Sequence, residues 1–119
     1  MSDSLITIYH NPRCSKSRQT LQLIRDSGVE PHVVEYLKAP PSFDEMDGLL
    51  KKLNLKPVEM MRRKESVFDE LDLGNCSLSR DEAISAMIVN PVLIERPIVV
   101  KGNNAVIGRP PENVQELLQ

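Results

Sequence analysis

Thiols are scarce in this chain: two cysteines, Cys14 and Cys76, stand among 119 residues. That is too few for a disulfide framework. Metal chemistry is equally short of ligands. His10 and Cys14 could share an ion, but no second pair has ligand spacing. No apolar run approaches the roughly 20 residues needed to span a bilayer. Excess charge of one sign is absent too. A net charge of -2 does not point to nucleic acid or an anionic membrane as a bulk partner. The first residues, Met1-Ser2-Asp3-Ser4, lack the basic and apolar regions of a signal peptide, so a cytoplasmic protein is expected. There is no internal repeat, low-complexity tract or long linker. What remains is 40% hydrophobic and 27% charged, enough apolar residue for one core under an ordinary soluble surface.

Apolar patterning orders the chain. Leu5-Ile6-Thr7-Ile8-Tyr9 reads as a buried strand, and residues up to Asp26 as an amphipathic helix with Ser17, Thr20, Leu21 and Ile24 on one stripe. Gly28 can end that helix in the left-handed conformation. His32 to Tyr36 is a second strand, and one intervening helix favours a parallel, right-handed pair. A helical block follows. Ser42 with Glu45, and Ser79 with Glu82, have capping-box spacing. Pro57 can open a short helix running through Arg63. Val67, Phe68 and Leu71 suggest another apolar turn, and Asn90-Pro91 stops the last helix of the block. Ile98-Val99-Val100, Lys101 to Asn104, and Ala105-Val106-Ile107 read as a hairpin. Pro111 to Leu118 reads as a terminal helix. The order β-α-β, helical block, β-β-α predicts a small mixed α/β sheet with helices on both faces. That is the thioredoxin-like arrangement: one domain over 1–119, with a helical insertion at about 42–90.

Chemistry concentrates in Tyr9-His10-Asn11-Pro12-Arg13-Cys14-Ser15-Lys16-Ser17-Arg18. Cys14 falls where a strand feeds a helix, beside unpaired N–H groups and the positive end of the macrodipole. A thiol placed there gives up its proton more readily, and the thiolate is the nucleophile. The same N–H groups can hold an oxyanion. The alternative is that Cys14 is a small buried hydrophobe, as a free cysteine often is. Cys14 to Ser17 has the spacing of a redox Cys-x-x-Cys pair with serine in the second place. Ser17 can hydrogen-bond the thiolate but cannot resolve a disulfide; it can equally be a plain first-turn residue. Cys76 is a loop candidate for an internal partner. Pro97, directly before a central-looking strand, fits the place where thioredoxin-like proteins set a cis-proline facing the cysteine. General frequencies favour trans. Arg62 or Arg63, Arg96 and Arg109 sit at element ends. Their planar guanidinium groups suit tetrahedral oxyanions, and each taken alone can be a solvated surface charge.

The chain resembles the glutaredoxin-dependent arsenate reductase family of the thioredoxin fold, in particular its short subgroup. The resemblance runs almost end to end. It rests on Tyr9-His10-Asn11-Pro12, Cys14, Ser17-Arg18, Tyr36-Leu37 with Pro40-Pro41-Ser42, Met60-Met61-Arg62, Asn90 to Val100, and Arg109-Pro110. It implies that Cys14 is the nucleophile, that Arg62, Arg96 and Arg109 bind the anion, and that His10 helps keep the cysteine ionised, with Ser17 and Pro97 supporting. Arg63 leaves the first arginine uncertain by one residue. The implied activity is reduction of arsenate to arsenite in arsenic detoxification, through a thiol–arsenate adduct resolved by glutathione and glutaredoxin. It needs no bound cofactor or metal, and the expected working form is a monomer. The loop departs from the pattern of the best-known members, which have Cys-Gly-Thr-Ser; Lys16 is an added cation that bears on anion selectivity. Two alternatives stay open: a glutathione-linked thiol-disulfide oxidoreductase without arsenate activity, and a non-catalytic regulator like the Spx proteins, which bind RNA polymerase. Spx proteins often carry Cys-x-x-Cys, which Ser17 argues against here.

Overall fold

A computed structural model describes residues 5–74 and 77–118. In chain order its elements are β1 (Ile6–Tyr9), α1 (Ser15–Asp26), β2 (His32–Val34), α2 (Phe43–Leu53), a 3-10 turn (Pro57–Met60), α3 (Ser66–Glu70) and α4 (Arg80–Val89). A second 3-10 turn (Pro91–Leu93), β3 (Ile98–Lys101), β4 (Asn104–Ile107), a third 3-10 turn (Pro111–Val114) and α5 (Gln115–Leu118) complete it. The chain divides into two compact units, Met1–Ala39 with Arg96–Gln119, and Pro40–Glu95.

The first unit is a four-stranded mixed sheet in the order β2-β1-β3-β4. β1 pairs parallel with β2 and antiparallel with β3, and β3 pairs antiparallel with β4. The parallel pair requires the crossover that α1 supplies. Register decides which side chains share a face. Val33, Ile8, Val99 and Val106 form one row across all four strands. That row joins Ile6, Ile24 of α1, and Val114 and Leu117 of the C-terminal turns in one apolar cluster. Ile6, Ile8, Ile24, Val99 and Val114 are at most 2% exposed, so each contributes about 1.5–3 kcal/mol of burial. The alternate positions Tyr9 and Ile98 pair on the opposite face and are also buried.

Local chemistry sets the boundaries. α1 buries Ser17, Thr20 and Ile24, and Gly28 follows it at φ +93°, in the left-handed conformation expected for that glycine. β2 ends at Val34, two residues earlier than its pattern predicts, because the Glu35 carbonyl accepts from Lys38 and Ala39 N–H and turns the chain. The hairpin is tighter than expected. Lys101 pairs with Asn104, leaving Gly102 and Asn103 as a two-residue turn with Gly102 at φ +62°. The terminal helix starts as a 3-10 turn, with Asn113 N–H donating to the Pro110 carbonyl three residues back.

The second unit contains the expected helical insertion. Ser42 and Ser79 both form complete capping boxes, with Glu45 and Glu82. α2 packs Met46, Leu49 and Leu50 toward Ala83, Ile84 and Met87 of α4. The helix expected to run from Pro57 through Arg63 ends instead at Met60. Met61 bridges Ile94 antiparallel, Arg62 N–H donates to the Leu93 carbonyl at 2.7 Å, and Glu95 N–H donates to the Met60 carbonyl at 2.9 Å. These bonds hold Met61 and Ile94, both extended, side by side just after their 3-10 turns. α3 buries Phe68, whereas Leu71 is 48% exposed.

Candidate active site

Cys14 is the N-cap of α1, in extended backbone (φ -95°, ψ 122°), and its side chain makes no cap hydrogen bond. It is 9% exposed. The loop that delivers it is tied down at four points. Cys14 N–H donates to the Asn11 carbonyl at 3.0 Å, and Arg13 N–H donates to Asn11 Oδ1 at 3.0 Å. Asn11 N–H donates to Ser17 Oγ at 3.1 Å, and Arg18 Nη1 donates to the Pro12 carbonyl at 2.9 Å. A thiol at the head of a twelve-residue helix is thus fixed against the helix dipole. The first turn of α1 holds no acidic residue to cancel that field.

His10 lies buried behind the loop. Its N–H donates to the Val34 carbonyl at 2.8 Å, and its Nδ1 is 2.6 Å from Ser17 Oγ. Because Ser17 Oγ already accepts from Asn11 N–H, the simplest assignment has its hydroxyl donate to Nδ1, leaving the ring proton on Nε2. Burial pushes the His10 pKa below its ordinary value. Glu35 opposes the shift, and Arg25 and Arg18 add to it. The hydrogen bond from Ser17 to the Cys14 sulfur, expected from the Cys-x-x-Ser spacing, is not formed; that hydroxyl serves His10.

The group that does reach the thiol comes from the far end of the sequence. Arg109 Nη1 lies 3.8 Å from Cys14 Sγ. Its approach is set by Gly108, whose N–H donates to the Pro97 carbonyl at 2.9 Å. The Gly108 carbonyl lies 3.3 Å from the Thr20 hydroxyl, which also donates to the Lys16 carbonyl at 2.8 Å. A Cβ on Gly108 would stand 2.5 Å from Thr20 Oγ1 and 2.9 Å from Pro97 Cγ, so the strand end lies directly on α1. Gly108 and Thr20 thus place the residue before Arg109 against α1, a contact that the sequence did not show. The available signal was a glycine at the end of β4 immediately before an arginine.

Both Arg96-Pro97 and Arg109-Pro110 are cis. The first was the expected conformation, and the second was not anticipated. Pro97 directly precedes Ile98, which pairs with Tyr9, so it comes level with the start of the Cys14 loop. Arg96 has its Nε and Nη1 atoms buried. In the second unit, Arg62 is paired with Glu65 at 2.9 Å and stands 3.7 Å from Glu95. Arg63 is exposed and places its guanidinium 5.9 Å from the Phe68 ring centroid. Cys76 lies outside the described residues. Among the described residues no three His, Cys, Asp or Glu side chains gather as a metal site, and no helix is long and apolar enough to cross a membrane.

A β-α-β unit followed by β-β-α, a cis-proline before β3 and a cysteine heading α1 define a thioredoxin-like α/β protein. The model of the ArsC family matches residues 9–117, and the chain belongs to that family. It is 52% identical over 114 residues to YfgD of Escherichia coli K12, a protein described as uncharacterized, covering 95% of this chain and 96% of that one. It is 46% identical to a Haemophilus influenzae protein named arsenate reductase, covering 95% and 98%. The solved structure of an arsenate reductase from Vibrio cholerae superposes with a TM-score of 0.92 at 49% identity, covering 96% of this chain and 98% of that one.

Proposed function

We propose that this protein reduces arsenate to arsenite, with Cys14 as nucleophile and glutathione and glutaredoxin as the thiols that restore it. The observation that carries this reading is Arg109 Nη1 at 3.8 Å from the Sγ of a cysteine that heads a helix. A second support is full-length similarity to proteins named arsenate reductase.

The chemistry runs in three balanced steps. The Cys14 thiolate attacks arsenic, an S–As bond forms as one As–O bond breaks, and the arsenate hydroxyl takes a proton from solvent and leaves as water. A glutathione thiolate then attacks the Cys14 sulfur. The S–S bond forms, the S–As bond breaks, and its electron pair stays on arsenic, which becomes arsenite. Two thiols have been oxidised to one mixed disulfide as arsenic gains two electrons. A glutaredoxin thiolate finally takes the glutathione and releases the Cys14 thiolate. Ser17 cannot perform the second step, so the resolving thiol comes from outside.

Arg109 neutralises charge on the oxyanion and on the departing arsenic centre. Arg96 and Arg62 join it in anion binding by their match to the family's motif. Arg62 is favoured over Arg63 because it is the residue held in place by carboxylates and by its backbone. His10 stays neutral and orients Ser17, which in turn holds the loop at Asn11. A coupled assay with glutathione and glutaredoxin tests the reading, comparing arsenate with phosphate and with glutathione mixed disulfides. Turnover with arsenate is expected. Turnover with mixed disulfides alone would make the protein a thiol-disulfide oxidoreductase and overturn the arsenate assignment.

A further inference from the structure

Two cations that flank Cys14, one on its loop and one in the first turn of α1, have no task in the steps above. Arg13 precedes Cys14 and Lys16 follows it by two positions, and both side chains are exposed. Neither forms an ion pair or side-chain hydrogen bond among the described residues. The other cations of α1 differ. Arg18 is bound to the Pro12 carbonyl and Arg25 to Glu30. Cys14 is itself only 9% exposed, and these two exposed cations flank it in the sequence.

We propose that Arg13 and Lys16 select the thiol that clears Cys14, by favouring a small thiol that bears carboxylates over a neutral one. This rests on the reading that an external thiol resolves a Cys14 adduct. An attacking glutathione carries two carboxylates, one ammonium and one thiolate, a net charge of -2. Its diethyl ester, attacking through the same sulfur, carries none. Each unpaired cation a few ångströms from a carboxylate in water changes the encounter by about threefold, and the effect weakens as salt shortens the screening length below about 8 Å. Such surface charges act on approach more than on the bound state.

The test isolates one exchange. In Cys76→Ser protein, Cys14 is converted to its mixed disulfide with 5-thio-2-nitrobenzoate. The attacking thiolate forms an S–S bond with Cys14 sulfur, and the coloured thiolate leaves with the electron pair of the broken bond. Stopped-flow rates with glutathione and with its diethyl ester give a ratio in which the intrinsic reactivity of Cys14 cancels. The ratio should fall about threefold in Arg13→Gln and in Lys16→Gln, and roughly tenfold in the double variant. It should fall further in Lys16→Glu than in Lys16→Gln, and in the parent protein it should fall as salt rises. A ratio unchanged in the double variant and in Lys16→Glu would overturn the proposal. So would a ratio insensitive to salt. The arsenate assay is separate. Arsenate turnover with an unchanged ratio sinks this inference alone, whereas the expected ratio without arsenate turnover supports it and sinks the arsenate reading.

Discussion

At the scale of single residues, the proposed chemistry rests on Cys14 and Arg109, and each makes a separate expectation. Cys14→Ser should remove arsenate reduction altogether, because a serine hydroxyl cannot supply the thiolate that forms the adduct. Cys76→Ser should keep most of it. The coupled assay on both variants checks this, and comparable turnover in Cys14→Ser would end the nucleophile assignment. Arg109 is 95 residues from Cys14 in sequence and 3.8 Å from it in space. A charge-assisted bond to an oxyanion is worth about 1.5–3 kcal/mol. Arg109→Ala should therefore lower kcat/KM for arsenate by about tenfold or more. Lysine should restore only part, since it lacks the planar fork. An alanine variant with full efficiency would return Arg109 to the surface charges. If efficiency falls only in step with melting temperature, its part is structural.

At the scale of elements, the helical unit depends on two serines that start α2 and α4. Each accepts from the backbone three residues on while glutamate answers back. Ser42→Ala should cost about 1 kcal/mol, read as a shift in denaturant midpoint at constant slope. No change at all would mean the box is redundant in the folded chain. These caps were legible in advance because they are local: four residues contain the whole device. The strands, the left-handed Gly28 and the stop at Asn90-Pro91 were legible for the same reason. What failed to show was set by distant partners. The short helix after Pro57 stops at Met60 because residues 93–95, far downstream in the sequence, take its backbone groups. Ser17 looked like a partner for Cys14 by spacing along one helix. His10, on the preceding loop, sits 2.6 Å from it instead. Gly108 carries no local signal of its part, because Thr20 and Pro97 close around it only in the fold.

At the scale of the whole molecule, acid should destabilise the protein in two stages, each with its own residues. His10 is buried, and burial holds its pKa below the ordinary 6.5. The unfolded chain therefore binds a proton at a pH where the folded chain does not, and stability rises with pH across that interval. The His10 contribution is fully present above about pH 6.5 and is lost as pH falls from there toward the folded value. The carboxylates act lower. Asp47 is held below its ordinary 3.8 by hydrogen bonds from Arg80 and Lys51, and Glu82 below 4.5 by its bonds from Ser79. Their contributions are present above those ordinary values and disappear as pH drops through the folded ones. Glu82 is exposed and Asp47 only half-buried, so their stage should be shallow. Urea unfolding between pH 8 and pH 3 should show a plateau, a first decline beginning near pH 6.5, and a second below the carboxylate range. His10→Asn, whose side-chain oxygen can still accept from Ser17, should abolish the first decline and leave the second. A first decline that persists unchanged in His10→Asn would place its origin elsewhere. It would also remove the reason for treating His10 as the neutral partner that holds Ser17 and the Cys14 loop.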